Sequence, residues 1–290
     1  MANSDLSHLM IGLPGTGKTT FLAALWHVLR NSETVPGALQ LAGVRGDRRY
    51  LNLIEQQWMA CLPIERTAVA GQAVAVRVQH PSGGQAIELA IPDMSGEMYE
   101  VVQWGQRERV PEYAHLAETA AGALLFLHPD VTIETDPITQ VDRALVGILD
   151  SPASGVMPEA EKAKPWDPKR TPTQVKLVEL LQFFLSHAGP HVQLAVIISA
   201  WDSVIEKQAT PEKWLSARVP LLHQFLKAND DRIIYSAYGV SAQGGPLKSA
   251  DGLRSHTAAV SRIRVAGPEG ESNDITAPIR WLMASGRTKA

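Results

Sequence analysis

The run Gly12-Leu13-Pro14-Gly15-Thr16-Gly17-Lys18-Thr19 fits the spacing G-x-x-x-x-G-K-[ST] at every fixed position. Glycines at this spacing let the backbone wrap an anion with its amides turned inward. A helix starting at Lys18 adds its positive end to the same point. Lys18 supplies a cation for β- and γ-phosphates, and the Thr19 hydroxyl is a ligand for Mg²⁺. Pro14, Thr16 and Thr20 complete a cradle from Gly12 to Thr20. The chemistry expected there is the holding of a nucleoside triphosphate with its metal.

More candidates follow in chain order. Asp93-Met94-Ser95-Gly96 comes directly after an apolar run. It reads as D-x-x-G, in which Asp93 holds Mg²⁺ through water and the Gly96 amide senses a γ-phosphate. Thr67 stands in Glu65-Arg66-Thr67, just ahead of a hairpin. Asp202 ends another apolar strand in Ser199-Ala200-Trp201-Asp202, and Ser236-Ala237-Tyr238-Gly239 follows a third.

This series resembles the P-loop GTPases of the translation-factor and Ras-like class, and within them the bacterial double-GTPase proteins. The resemblance spans most of residues 8–239 plus the closing helix. It implies GTP and GDP as ligands, with Mg²⁺, and Thr67 as the switch hydroxyl that closes on Mg²⁺ when a γ-phosphate is present. It also implies that Asp202 accepts two hydrogen bonds from the guanine N1 and exocyclic amine. Ser236 and Ala237 would form the loop whose backbone amide meets guanine O6. Ser199 and Ala200 depart from the Asn and Lys of N-K-x-D, and no lysine covers the face of the base. Glu97 stands where a glutamine commonly orients the attacking water. Its negative charge beside the γ-phosphate predicts slow hydrolysis. Arg66, beside Thr67, is a candidate arginine finger in cis. The family is proposed to pair two GTPases in conflict signalling, so a second GTPase or an effector is the protein partner implied. Two other classes share the loop: an ATPase or small-molecule kinase, for which Arg45, Arg48 and Arg49 would be substrate-loop candidates, and a nucleotide-binding scaffold that hydrolyses nothing.

These residues need elements to hold them. His8–Ile11 reads as a buried strand and Lys18–Arg30 as a helix with Leu22, Leu25, Trp26 and Leu29 on one face. A loop over Thr34–Gly46 carries a short strand at Leu39–Val44. Asp47–Leu62 reads as a helix with the stripe Leu51, Ile54, Trp58. Ala73–Val78 and Ala86–Ile91 alternate about a Pro-Ser-Gly-Gly turn, which is a hairpin. Ala123–His128, Gln193–Ser199 and Asp231–Ser236 read as strands. Thr173–Ser186, Pro211–Ala228 and Asp274–Ala284 read as helices. Buried apolar runs alternating with helices predict an α/β fold, a three-layer P-loop NTPase sandwich. Its sheet would be mostly parallel, with one antiparallel edge hairpin and insertions.

At 290 residues the chain exceeds a usual single domain, yet the strands run through nearly all of it, so one P-loop GTPase-like domain over 1–290 is expected. The surplus falls in a proline-rich insertion at 151–172 and a glycine-rich variable segment at 241–271, with a short strand at Arg262–Val265. A net charge of −3 excludes a general affinity for nucleic acid. The single cysteine, Cys61, excludes an internal disulfide and is expected to be buried. Trp26, Trp58 and Trp214 are expected in the core, and Trp201 either in the core or against the base. His187 and His191 are broken apart by Gly189-Pro190 and read as loop residues. No apolar run is long enough to span a bilayer and no signal peptide is seen, which predicts a cytoplasmic protein.

Overall fold

The computed structural model describes residues 6–31, 35–64, 74–91, 111–131, 171–204, 210–256 and 258–285. Its centre is β1 (Leu6–Gly12), which turns through the glycine loop into α1 (Lys18–Arg30). The chain continues through β2 (Gln40–Arg45), α2 (Arg48–Met59), β3 (Val74–Gln79), β4 (Ile87–Ile91), α3 (Pro111–Glu118) and β5 (Ala120–Leu127). Then come α4 (Thr173–His187), β6 (Val192–Ser199), α5 (Pro211–Arg218), α6 (Pro220–Ala228) and β7 (Ile233–Ser241). It closes with α7 (Ala250–Arg254), β8 (Arg264–Gly267), β9 (Gly270–Ser272) and α8 (Ala277–Ser285).

Among the described residues these strands form one nine-stranded sheet in the order β2-β3-β4-β1-β5-β6-β7-β8-β9. The stretch β4-β1-β5-β6-β7 is parallel. The strand order changes direction at β1, which puts a crevice beyond its carboxyl end. Side chains alternate between the faces, as the pleat requires. Met10, Leu124, Phe126 and Ile197 pack on one face against α1, α2 and α8. Leu9, Ile11, Leu125, Val196 and Ile198 pack on the other against α4, α5 and α6. Phe21 of α1 meets Phe126 of β5 edge to face, with centroids 5.1 Å apart. That contact ties the first helix to the sheet just under the glycine loop.

Three sequence expectations change. The region Pro211–Ala228 is two helices, because Pro220 removes an amide donor and starts a new helix. Antiparallel pairing is not confined to one edge: β2 lies outside the β3–β4 hairpin, and β8 and β9 extend the far side antiparallel to β7. The segment 241–271 is therefore structured over its described residues. It supplies α7, two strands and the buried Val260, Ile263 and Val265. The insertion proposed at 151–172 lies outside the described residues up to 170.

Candidate functional site

The glycine loop is held by its own polar groups. Thr16 is buried and its hydroxyl donates to the Leu13 carbonyl at 2.8 Å. The Lys18 ammonium donates to the carbonyls of Gly12 at 2.7 Å and Leu13 at 2.8 Å. Burial lowers the Lys18 pKa to about 8, since a desolvated ammonium favours its neutral form. Gly17 has φ +86°, and a Cβ there would stand 3.0 Å from Cβ and Oγ of Ser199. Glycine is thus required twice over, by conformation and by the approach of β6. No side chain caps the start of α1, so its first-turn amides are not committed to a side-chain cap. Thr19 and Thr20 sit half-buried in that first turn. Gly12, Pro14 and Gly15 complete the loop, Gly15 being its exposed tip.

A cleft of about 300 Å³ opens beside the loop, at the lower end of the range for small-ligand sites. Gly17, Thr20 and Phe21 line its near end; Ser199, Ala200, Asp202 and Ser203 line the end of β6. Ala242 and Gln243, just past β7, face it from farther along the sheet, and Leu62 and Ile64, past α2, close another side.

Asp202 lies in a one-turn 3₁₀ helix, Trp201–Ser203, which begins after Ala200 in the left-handed region at φ +47°. The Ala200 carbonyl accepts from the Ser203 amide and hydroxyl, both at 2.8 Å. Asp202 is exposed to the cleft, and the Ser241 hydroxyl donates to its Oδ1. Ser241 in turn accepts from the Gly244 amide at 3.1 Å. Ser199 is buried and donates to the Leu127 carbonyl at 2.9 Å. Its role is to join β5, β6 and the glycine loop. Trp201 is half-buried and packs against the core rather than lining the cleft: its ring lies over Gly239 of β7, where a Cβ would stand 2.2 Å from it.

Two expected base-contact residues lie elsewhere than at a strand end. Ser236 and Ala237 do not end a strand: they pair with Ala195 and Val196 inside β7, which runs on to Ser241. Ala237 is buried in the face packed by α4 to α6. Gly239 made the segment look like a turn, but it is a strand glycine that leaves room for Trp201. The pattern S-A-x-G recurs at Ser241-Ala242-Gln243-Gly244, at the true strand end, with Gly244 at φ +90°.

Thr67, Asp93, Gly96, Glu97 and Arg66 lie outside the described residues. Among the described residues no group of three or more His, Cys, Asp or Glu gathers to hold a metal. His187 and His191 are engaged apart, with the carbonyls of Phe183 and Asp231. Arg45 pairs with Glu88 and Arg49 with Asp47, away from the cleft. No helix among the described residues is long and apolar enough to cross a membrane.

A parallel-centred α/β sheet with a glycine loop at its switch point defines a P-loop nucleotide-binding protein. Residues 9–282 match the family model Double-GTPase 1, and the chain belongs to that family. Membership supports binding of GTP. A crystal structure of Sup35 complexed with GDP is similar over 84% of this chain at 13% identity, with a TM-score of 0.34. The match covers 38% of that chain, so the present protein spans well under half its length. A comparison with curated proteins gives no match.

Proposed function

We propose that the protein binds GTP with Mg²⁺, hydrolyses it slowly and acts as a nucleotide-dependent switch. The observation that carries this reading is the single cleft joining the glycine loop to Asp202 and the end of β7. The loop amides and Lys18 hold the phosphates. Thr19 and Thr67 ligate Mg²⁺, and Asp93 supports it. Bound there, Mg²⁺ neutralises charge on the β- and γ-oxygens. Gly96 senses the γ-phosphate, and Glu97 faces the attacking water. Asp202, oriented by Ser241, reads the N1 and amine edge of guanine. The amides of the Ala242 turn take the O6 contact first assigned to Ser236 and Ala237. The fold is a single three-layer domain over 1–290, and its switch serves a protein partner, a second GTPase or an effector in bacterial conflict signalling in the cytoplasm.

The kinase alternative gains no support, because Arg45 and Arg49 are paired outside the cleft. Nucleotide competition tests the reading. GTP is expected to displace a labelled analogue far better than ATP. Asp202→Asn is expected to lower GTP affinity roughly 10–100-fold and to admit xanthosine triphosphate, since one bidentate pair discriminates by about 1–3 kcal/mol. Equal displacement by ATP and GTP would remove the base assignment. Single-turnover hydrolysis is expected below ~1 s⁻¹ without a partner.

A further inference from the structure

The base end of the cleft is fastened from behind by one residue of α2. Trp58 is fully buried, and its indole Nε1 donates to the Ala242 carbonyl at 3.0 Å. Its own backbone carbonyl accepts from the Gln243 side chain at 3.4 Å. Two consecutive residues of the loop are therefore gripped by a residue 184 positions earlier in the chain. Arg262 locks the grip. It is buried, its guanidinium lies 4.2 Å over the Trp58 ring, and it donates to the Trp58 carbonyl at 2.5 Å and to Cys61 Sγ at 3.1 Å. Such stacking holds an indole in plane as well as adding attraction. Neither Trp58 nor Arg262 lines the cleft, whereas Ala242 and Gln243 do.

The geometry points to Trp58, locked by Arg262, as a positioning residue that sets how the loop meets the six-position of the purine. In a trans peptide the carbonyl and the amide N–H point opposite ways, and the chain has no cis bond in its described residues. Holding the Ala242 carbonyl toward α2 fixes the rotation of the Ala242–Gln243 peptide and turns its N–H to the other side. Asp202 is oriented by a different group of the same turn, the Ser241 hydroxyl, to which neither Trp58 nor Arg262 is hydrogen-bonded. Trp58 therefore acts on the six-position more directly than on the amine edge. The inference rests on the cleft being a guanine site.

The experiment measures affinities for GTP, ATP, 6-thio-GTP and inosine triphosphate with the full chain and with Trp58→Phe, which keeps an aromatic ring but removes the donor. Sulfur is a weak acceptor, so preference for GTP over 6-thio-GTP reports the six-position. Preference for GTP over inosine triphosphate reports the amine at Asp202. Trp58→Phe is expected to shrink the first preference about fivefold to tenfold, the loss of one hydrogen bond, and to leave the second within about twofold. If both preferences fall together, Trp58 serves stability alone and the proposal is overturned; an unchanged first preference overturns it equally. Should Trp58→Phe fail to fold, Arg262→Lys carries the test, with the same selective loss expected. If the unaltered chain does not prefer GTP to ATP, the guanine reading itself has failed, a result distinct from either outcome.

Discussion

The proposed phosphate end of the cleft belongs to one uninterrupted stretch, Gly12–Thr20, while the proposed base end is lined by residues past α2, at the end of β6 and past β7. The first end works through backbone amides and a lysine that already bonds its own loop. The second works through side chains held by other side chains: Asp202 by Ser241, and the Ala242 turn by Trp58 and Arg262. A local device tolerates change elsewhere in the fold. An assembled one is sensitive to residues that never touch the ligand.

The largest effect is expected at the phosphate end. Lys18→Met should weaken GTP binding about 10²-fold by calorimetry, through loss of charge-assisted bonds. GDP and GTP should both suffer, whereas a base-end variant leaves the phosphate contacts intact.

The two ends should also separate by pH. Free Lys18 releases its proton near pH 8, and bound phosphates would keep it charged. Binding is therefore expected to take up a proton above pH 8, and affinity to fall as pH rises further. Calorimetry in buffers of differing ionisation enthalpy measures this, and the uptake should vanish in Lys18→Met. Between pH 8 and the ordinary lysine range near 10.5, the unfolded chain holds a proton on Lys18 that the folded chain has released. This group accordingly makes the nucleotide-free protein gain stability as pH rises through that window.

Ser241→Ala should cost a factor of about three to ten in GTP affinity, because Asp202 loses the hydroxyl that orients it. Ser236→Ala, inside β7, should stay within about twofold by the same titration. Equal losses at the two serines would return the base contact to Ser236 and undo the contrast.

The difference between the ends also explains what could be read from sequence. Gly12–Thr19 is a local pattern whose chemistry and spacing coincide, so it needed no fold. The place of Asp202 just past a strand end was readable because a buried apolar run points at it. Ser236 and Ala237 were misplaced because Gly239 imitates a turn, and only the packing of Trp201 shows why a glycine sits inside that strand. Trp58 was placed in the core by its helical stripe, which is where it lies. Nothing in its spacing tells that its N–H meets residue 242. The break at Pro220 was written in the sequence, and the short strand expected at Arg262–Val265 appears as β8 two residues later, whereas β9 is three exposed residues with no apolar periodicity.

The closing helix α8 has a consequence for how the chain is made. Ile279 and Leu282 are fully buried in the same core as Phe21 and Leu39, and the Thr276 hydroxyl accepts from the Leu39 amide at 3.0 Å. That bond spans 237 positions. A ribosome must therefore have made the chain as far as α8 before the face beneath α1 can seal. Contacts so distant slow folding, because loop closure comes before its reward. Until α8 is made, one apolar face of the sheet has no cover there, and such surface is prone to aggregation.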